Sequence, residues 1–535
     1  MGFTSLLIHL LFLFSSYLLT ATAAASTSKN FLQCLSKNSD TSSSITTIVY
    51  SPTNSSYTSV LEFSIQNLMF ISSTTPKPQF IITPTLESHI QAAVICSKKH
   101  GYLIRVRSGG HDYEGLSYIS YKPFIVIDLV NFQDINVNIK DNTAWVQAGA
   151  TVGQVYYRIA KQSSTHGFPA GVCTTMGVGG HIGGGGIGFL MRKYGLSADN
   201  ILDAYFIDVN GKLLNRKSMG EDVFWAIRGG GGASFGVIVA WKIQLVPVPA
   251  IVTVFNIQKT LEQGATNLFY KWQNSAHKFH EDLFIRTVVQ AVNGENGSRT
   301  IQVVFQSVFQ GTVKELLPLM EESFPELGLE AKDCSEMSWI NSTLNIAGLS
   351  GRPLEILLNR SQQSRGYFKG KSDFVKEAIK PRDLESLWKF MLAEDISPML
   401  INEPLGGKMA EISEFAVPFP HRAGNLYNIQ YFMPWSEGSA TARSLQASKR
   451  LYDYMTPYVS KSPRGAYVNY KDLDLGVNQD INTGFMEASV WGEKYFKANF
   501  VKLAFVKRKV DPENFFWNEQ SIPPFEVKWM KKGGN

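Results

Sequence analysis

Charged residues are scarce in this sequence, and the basic ones are spread out. Lys, Arg, Asp and Glu make up 18% of the 535 residues, and the formal net charge is +6. The basic clusters at residues 507–510 and 528–535 are short and typical of a solvated surface. Because zinc-finger spacing, RNA-binding motifs and a basic stripe are all missing, we predict neither a metal site nor a nucleic-acid partner.

Long apolar runs are also missing, except at the N-terminus. Residues 1–25 combine an apolar core with small residues in two A-x-A patterns, which predicts a secretory signal peptide rather than a membrane anchor. No later segment approaches the roughly 20 apolar residues of a membrane span. N-glycosylation sequons are present at Asn54, Asn296, Asn341 and Asn359. We therefore expect a glycoprotein of the secretory pathway, either extracellular or vacuolar, with no membrane segment in its mature form.

Cysteine is rare, and its four positions differ in local pattern. In an oxidising compartment, four cysteines allow two disulfides. Cys34 and Cys96 each lie in a segment with helical apolar spacing, so a helix-to-helix bridge between them is expected. Cys173 lies in a loop of glycine and threonine. We then expect Cys334 to be a buried free thiol.

The length predicts two or more domains, and the order of the elements differs between them. Up to the Pro-Val-Pro sequence at residues 247–249, short β-branched strands alternate with helices, and Asn210-Gly211 marks a hairpin. Beyond it, residues 282–292 and 300–311 alternate between polar and apolar side chains, as strands of a half-solvated antiparallel sheet do. The pattern predicts an α/β region followed by an α+β region.

Glycine is concentrated in three loops. Eight of the twelve residues from Gly177 to Gly188 are glycine, and further clusters lie at residues 229–232 and 107–118. A G-x-G-x-x-G match within the first cluster lacks the preceding apolar strand of a dinucleotide-binding fold, and no Walker lysine follows it. A flexible linker is excluded because strands flank the runs closely. The remaining interpretation is loops whose backbone N–H groups face the pyrophosphate of a large cofactor.

Several motifs together resemble the berberine bridge enzyme-like oxidases of plants, within the vanillyl-alcohol oxidase superfamily of FAD proteins. They are "RSGGHDYEGLSY", "CTTMGVGGHIGGGG", "GEDVFWAIRGGGGASFGVI", "FPHRAGNLYNIQY", "NYKDLDLG" and "NEQSIPP". The resemblance implies an α+β fold, with a two-part FAD-binding domain and an antiparallel substrate sheet backed by helices. We expect a signal peptide (1–25), an N-terminal segment of the flavin domain (26–74), the FAD-binding domain (75–249), the substrate-binding domain (250–465) and a C-terminal segment returning to the flavin domain (466–535).

The resemblance also implies an FAD attached by two covalent bonds. The family's histidine at His111 bonds the flavin 8α-methyl group, and its cysteine at Cys173 bonds flavin C6. An imidazole and a thiolate are nucleophiles that an electron-poor ring can capture. The alternative for His111 is a histidine that is hydrogen-bonded in a turn, and the alternative for Cys173 is a small apolar side chain that fills space in the core. The cofactor residues we predict are His111, Cys173, Arg107, Ser108, Gly109, Gly110, Ser117, Gly177, Gly179, Gly180, His181, Gly183, Val237 and Tyr470.

Tyr470 matches the active-site tyrosine of the family, which implies that it takes a proton while hydride passes to flavin N5. A free phenol titrates near 10, so a neighbouring cation has to lower its pKa for this role. Arg286, on a predicted strand, is a candidate for that cation or for binding a substrate oxygen, with an exposed sheet arginine as the alternative. Tyr194 matches another pocket position.

Three departures from the family pattern bear on the chemistry. Met176 stands three residues after Cys173, where relatives have valine or leucine near the site of reaction with oxygen, so it bears on whether O2 is the electron acceptor. Glu403 and Leu405 replace parts of an Asn-Pro-Tyr sequence. Asn428 replaces a lysine or glutamate, with Gln430 two residues on. The catalytic candidates are Tyr470, Arg286, Glu403, Asn428, Gln430 and Tyr194.

Three functions are consistent with these features. The first is an FAD-dependent oxidase or oxidative cyclase of a plant specialised metabolite (a phenol, prenylated phenol or alkaloid), which uses O2, releases H2O2 and works as a monomer in the apoplast or vacuole. The second is a carbohydrate oxidase on the same scaffold. The third is a non-redox cyclase, such as one catalysing a cycloaddition, that keeps the flavin as a platform. Peroxide release and flavin bleaching separate the first two from the third, and from a binding protein.

Overall fold

The structure is a computed structural model that describes residues 28–526, except residues 41–43, 295–296, 362–364 and 397. The predicted signal peptide at residues 1–25, the sequon at Asn296 and the C-terminal residues 527–535 lie outside the described residues. Across the described ranges, no helix is long and apolar enough to cross a membrane.

The described residues contain both strands and helices, in agreement with the predicted α+β class. The strands are β1 Val49–Tyr50, β2 Phe80–Ile82, β3 Leu103–Arg107, β4 Phe124–Asp128, β5 Ile135–Asn138, β6 Thr143–Gln147, β7 His166–Gly167, β8 Ile201–Ile207, β9 Leu213–Leu214, β10 Val237–Gln244, β11 Val246–Pro247, β12 Val252–Thr260, β13 Leu283–Asn293, β14 Arg299–Phe309, β15 Cys334–Met337, β16 Tyr367–Val375, β17 Met399–Pro404 and β18 Tyr427–Trp435. The helices are α1 (residues 28–38), α2 Tyr57–Glu62, α3 Glu87–His100, α4 Val152–Gln162, α5 Val178–Gly183, α6 Met191–Tyr194, α7 Arg216–Met219, α8 Glu221–Ile227, α9 Ala265–Ser275, α10 Val313–Ser323, α11 Trp339–Ile346, α12 Pro381–Ala393, α13 Lys408–Glu411, α14 Thr441–Tyr454, α15 Phe485–Phe496 and α16 Asn499–Val510.

The first half of the chain forms two sheets that carry the glycine loops. A four-stranded sheet has the order β1-β2-β4-β3, in which β4 runs parallel to β2 and to β3. All five residues of β4 are buried, as expected for a β-branched strand covered on both faces. An antiparallel sheet has the order β5-β6-β10-β8-β9, and the hairpin predicted at Asn210-Gly211 joins β8 to β9.

The second half forms a seven-stranded antiparallel sheet of order β15-β12-β14-β13-β17-β18-β16. Side chains alternate along its strands, so Ile285 and Val289 of β13 enter a core with helices α9 and α12, whereas Arg286 faces the other way. Gln430 and Glu403 also lie on the side away from the helices. The helices therefore cover one face of the sheet, and the other face is left to form a site.

The C-terminal part of the chain packs with the first half. Trp491, Tyr495 and Phe500 of α15 and α16 belong to the same buried cluster as Trp225 of α8 and Trp241 of β10. The segment that joins this cluster to the seven-stranded sheet, residues 466–476, consequently lies between the two halves.

The cysteines follow the sequence prediction with one exception. Cys34 in α1 and Cys96 in α3 form a disulfide, and Cys173 and Cys334 are free thiols. The prediction that Cys334 is buried is wrong, since it is only half-buried at the start of β15, an edge strand of the seven-stranded sheet.

Candidate active site

A cavity of about 760 Å³ lies between the glycine loops and the helix-free face of the seven-stranded sheet. Its walls come from the loop after β3, the loop that carries Cys173, the glycine loop after α8, strands β13 and β16–β18, and residues 467–471. Because the sheet and the loops belong to different halves of the chain, the cavity exists only when both are folded together.

Two of the glycine loops meet so closely that no side chain fits between them. A Cβ added to Gly109 would lie 2.2 Å from the backbone nitrogen of Gly177, and one added to Gly177 would lie 2.2 Å from that of Gly109. Ser108 Oγ donates a hydrogen bond of 2.5 Å to the Ala148 carbonyl and fixes the first loop on the sheet. Glycine at these positions is thus required by the approach of two backbones.

Gly180, in the same glycine cluster as Gly177, borders open space instead. A Cβ on Gly180 would meet nothing within 4 Å, although this residue lines the cavity. Ser117 also lines the cavity, and its Oγ is buried without a hydrogen-bond partner in the described part of the chain. A bulky polar ligand needs backbone that it can approach closely and a polar group that has no partner within the protein. Gly180 and Ser117 meet these needs, so the residues fit a phosphate-bearing cofactor such as FAD.

His111 and Cys173 come together through a threonine. The Thr175 hydroxyl lies 2.9 Å from His111 Nε2 and 3.7 Å from Cys173 Sγ. Gln66 Nε2 is a further neighbour of His111 Nε2 at 3.2 Å. Burial lowers the pKa of His111 to about 4, so its imidazole is neutral and nucleophilic at physiological pH. The Cys173 thiol is exposed.

Tyr470 lies in a cluster of three aromatic rings and one carboxylate. Its hydroxyl donates to Glu403 Oε2 at 3.4 Å, its ring stacks on Tyr113 at 5.8 Å, and it meets Tyr467 edge-on at 4.9 Å. Gln430 Nε2 donates to the Tyr113 hydroxyl at 2.5 Å. The cluster therefore links the seven-stranded sheet to the glycine loops, since Tyr113 lies in the loop after β3 and the Gly186 amide donates to the Tyr467 hydroxyl at 2.9 Å.

Arg286 lowers the pKa of Tyr470, as expected of a neighbouring cation, but the net pKa is not lowered. Burial and the negative charge of Glu403 raise this pKa well above 10, and Arg286 opposes them only in part. Arg286 lines the cavity, donates from Nε to Gln306 Oε1 at 2.7 Å and lies 5.2 Å above the Phe189 ring. Burial also raises the pKa of Glu403 above 4.5, against the effects of Arg286 and Tyr470.

Not every predicted site residue borders the cavity. In the described residues, its lining includes Tyr470, Arg286, Glu403 and Gln430, but not Asn428, whose Nδ2 donates to the Asp373 carbonyl at 3.1 Å. The lining also includes the remaining predicted cofactor residues, His111, Cys173, Ser108, Gly109, Gly110, Ser117, Gly177, Gly179, Gly180, His181 and Gly183.

The other exceptions have local structural partners instead. Arg107 donates to the carbonyls of Leu61 and Val60 and pairs with Asp128 at 2.7 Å. Val237 is buried in the core of the first half. Tyr194 donates from its hydroxyl to the Pro247 carbonyl at 2.6 Å. Arg107, Val237 and Tyr194 therefore have side chains that support the fold and do not line the cavity.

A buried cluster of charges was missed by sequence reasoning. Lys369 of β16 forms ion pairs with Glu114 and, at 3.0 Å, with Asp472, and Lys371 pairs with Asp472 at 2.9 Å and Asp474 at 2.5 Å. We call these five residues the charged cluster. Glu114 follows His111 by three residues, and Asp472 follows Tyr470 by two. Two lysines spaced by two residues within a strand that aromatic residues flank on both sides were the available signal.

Comparison with known proteins agrees with this geometry. The family described as "FAD binding domain" matches residues 78–216, and that described as "Berberine and berberine like" matches residues 466–523. A tetrahydroberberine oxidase of Berberis wilsoniae is 52% identical over 519 residues, covering 96% of this chain and 97% of the relative. The chain belongs to the berberine bridge enzyme-like family. Like its relatives, it is an FAD-linked oxidoreductase that acts on a small molecule.

Other members of the berberine bridge enzyme-like family differ in the substrates that their names give. A monolignol oxidoreductase of Arabidopsis thaliana, AtBBE-like 13, is 52% identical over 503 residues, covering 92% of this chain and 93% of the relative. The solved structure of Phl p 4, a grass pollen allergen with glucose dehydrogenase activity, is 46% identical, with a TM-score of 0.88, covering 92% of this chain and 99% of that one. The family thus includes aromatic and sugar substrates.

Proposed function

We propose that this protein is an FAD-dependent oxidase or oxidative cyclase of a plant specialised metabolite, namely a phenol, a prenylated phenol or an alkaloid. The observation that carries the proposal is the convergence of His111, Cys173 and Tyr470 on one cavity of about 760 Å³. The FAD supplies the hydride acceptor. The chain's own residues bind this group, orient the substrate and remove a proton.

His111 and Cys173 would hold the FAD by two covalent links. The neutral imidazole of His111 and the accessible thiol of Cys173 support this role, and both lie beside the Thr175 hydroxyl. Ser117 and the open backbone at Gly180 would face its polar groups. This arrangement anchors the cofactor on one side and leaves the sheet side for the substrate.

The sheet side of the cavity is rich in aromatic side chains, which supports an aromatic substrate. Phe368, Phe432 and Trp435 line it together with the stacked pair Tyr113 and Tyr470. Flat rings gain affinity by stacking on such walls. Tyr470, which lines this side, would take a proton from the bound substrate.

A carbohydrate oxidase is the second candidate. Stacked tyrosines also bind the apolar face of a sugar, and Gln430 and Glu403 offer polar contacts for hydroxyl groups. The glucose dehydrogenase activity in the name of Phl p 4 supports this alternative. The apolar side chains Met399, Ile401 and Phe432 on the same wall favour the aromatic substrate, since a sugar requires more hydrogen-bond partners.

The proposal keeps O2 as the electron acceptor and H2O2 as a product. Met176 lines the cavity, and its flexible side chain can move aside to admit a diatomic molecule.

The proposed protein is also a monomer that is secreted or vacuolar and carries N-glycans. Asn54, Asn341 and Asn359 are exposed, as glycan acceptors have to be. The predicted domain boundaries are retained, supported by the packing of α15 and α16 with the first half.

The test is anaerobic mixing of the purified protein with coniferyl alcohol (a monolignol), tetrahydroberberine or glucose. Loss of the flavin's visible absorbance with one of the first two supports the proposal, and loss with glucose alone favours the sugar oxidase. Tyr470→Phe keeps the ring and removes the hydroxyl, so flavin reduction slows about 10²–10⁴-fold while substrate affinity changes less. Tyr121→Phe, at a residue that is 85% exposed, is the control.

Two results contradict the proposal. Product formation without loss of flavin absorbance indicates a non-redox cyclisation. Unchanged reduction in Tyr470→Phe removes this residue from the proton transfer.

A further inference from the structure

Glu403 and Asn428 are direct partners across the antiparallel pair β17 and β18. Asn428 cannot ionise, and its side chain is fully buried and bonded to the Asp373 carbonyl. Glu403 instead lines the cavity. Of these two cross-strand partners, only Glu403 on β17 therefore supplies an acidic group.

Glu403 is buried, with only 6% of its surface exposed, yet within the described part of the chain it has no direct cationic partner. In the described ranges no ion pair within 4.0 Å includes it, and the nearby Arg286 is hydrogen-bonded to Gln306. The titratable groups that face it are Arg286 from β13, Tyr470 and Tyr467 from the segment after residue 466, and Tyr113 from the first glycine loop. Its hydrogen bond comes from Tyr470.

Tyr470 cannot act as the final base on its own. Its pKa lies well above 10, so the phenol keeps its proton at neutral pH and donates it to Glu403. It can accept a substrate proton only while its own proton leaves. Burial raises the pKa of Glu403, which makes this carboxylate a stronger base than an exposed one.

We propose that Glu403 is the final proton acceptor of the reaction, that Tyr470 relays the proton to it, and that the substrate is oxidised at a carbon bearing a hydroxyl group. This inference rests on the proposed function. The substrate O–H proton moves to Tyr470 Oη as the Tyr470 proton moves to Glu403 Oε2, and the C–H hydride goes to the FAD. An alcohol becomes a carbonyl compound, and Glu403 becomes a carboxylic acid that later releases its proton to water.

The relay predicts that Glu403 is needed for some classes of substrate and not for others. Oxidation of an amine to an iminium ion removes a hydride and no O–H proton, so it needs no base of this kind. Glu403 should consequently matter for coniferyl alcohol and not for a tertiary amine such as tetrahydroberberine.

The test measures anaerobic flavin reduction by coniferyl alcohol as a function of pH. The wild-type rate is expected to rise with pH through the raised pKa of Glu403, above 4.5, and then to level off, because only the carboxylate accepts the proton. Glu403→Gln should slow reduction about 10²–10⁴-fold and abolish this rise. The double variant Glu403→Gln/Tyr470→Phe should be no slower than the slower single variant, since the two residues act as one unit.

Two further variants distinguish the relay from a structural role. Glu403→Asp keeps a carboxylate at the same position of β17 and should keep part of the pH-dependent rate. Glu411→Gln, on the exposed face of α13, is the matched control and should leave both rate and profile unchanged. If Glu403→Gln fails to fold, Glu403→Asp and the wild-type profile still report the carboxylate.

The outcomes are separable. Bleaching of the wild-type flavin by coniferyl alcohol, with an equal rate or an unchanged pH rise in Glu403→Gln, overturns the relay and leaves the proposed function standing. Bleaching by tetrahydroberberine alone overturns the hydroxyl substrate. No bleaching by any of the three probes overturns the proposed function and the relay with it.

Discussion

Replacing Asp472 with asparagine should destabilise the protein far more than a typical surface substitution. Asp472 and both lysines it contacts are buried, with exposed fractions of at most 5%. Asparagine keeps the shape and can still accept the hydrogen bond from the Asp474 amide, so the change removes the charge and the oxygen that accepts from Lys371. Breaking a buried ion pair costs about 3–5 kcal/mol, because the partner charge stays buried.

The cost should fall near the lower end of that range, about 3 kcal/mol. Lys369 keeps its contact with Glu114, and Lys371 keeps its contact with Asp474, which is 57% exposed. Urea unfolding followed by far-UV circular dichroism gives the free energy of unfolding. The control is Asp453→Asn, whose partner Lys449 is 70% exposed and for which about 0–1 kcal/mol is expected. Equal losses in the two variants would refute the conclusion that Asp472 forms buried ion pairs that stabilise the fold.

Two further predictions concern the cofactor. His111→Ala and Cys173→Ala should each leave one covalent link, and the double variant should release FAD on denaturation; release by acid from the unmodified protein would contradict both links. Gly180→Ala should fold with no loss of stability, because its Cβ meets nothing within 4 Å and alanine is favoured over glycine inside helix α5, yet it should bind less flavin, as measured by the visible absorbance per protein. Full flavin content in Gly180→Ala would show that this backbone does not face the cofactor.

The parts of the site that were predictable from sequence are those whose residues lie in short continuous motifs. His111, Cys173 and Tyr470 each stand in a distinctive segment, and the structure brings all three to one cavity. The strands and helices of the first half were predictable for a similar reason, since β-branched runs and helical spacing are local signals. The Cys34–Cys96 disulfide followed from two helical segments.

The electrostatics of the site were not predictable, because they depend on contacts between distant segments. Tyr470 and Glu403 are 67 residues apart, and their contact forms only when the seven-stranded sheet meets the segment after residue 466. The same holds for Lys369 and Glu114, 255 residues apart. Sequence alone suggested a cation beside Tyr470, but it could not weigh Arg286 against burial and Glu403, and the balance has the opposite sign.

The two walls of the cavity differ in how much change they can accept. On the loop side, Gly109 and Gly177 approach each other so closely that any side chain would separate the loops and displace His111 and Cys173 with them. On the sheet side, Glu403 and Asn428 are cross-strand partners, so an acidic group can move from one strand to the next without altering the backbone ladder. In the proposed function, cofactor binding therefore depends on backbone contacts, whereas proton transfer and substrate choice depend on side chains that can be exchanged. This division agrees with the different substrates in the names of relatives that are 52% identical to this chain.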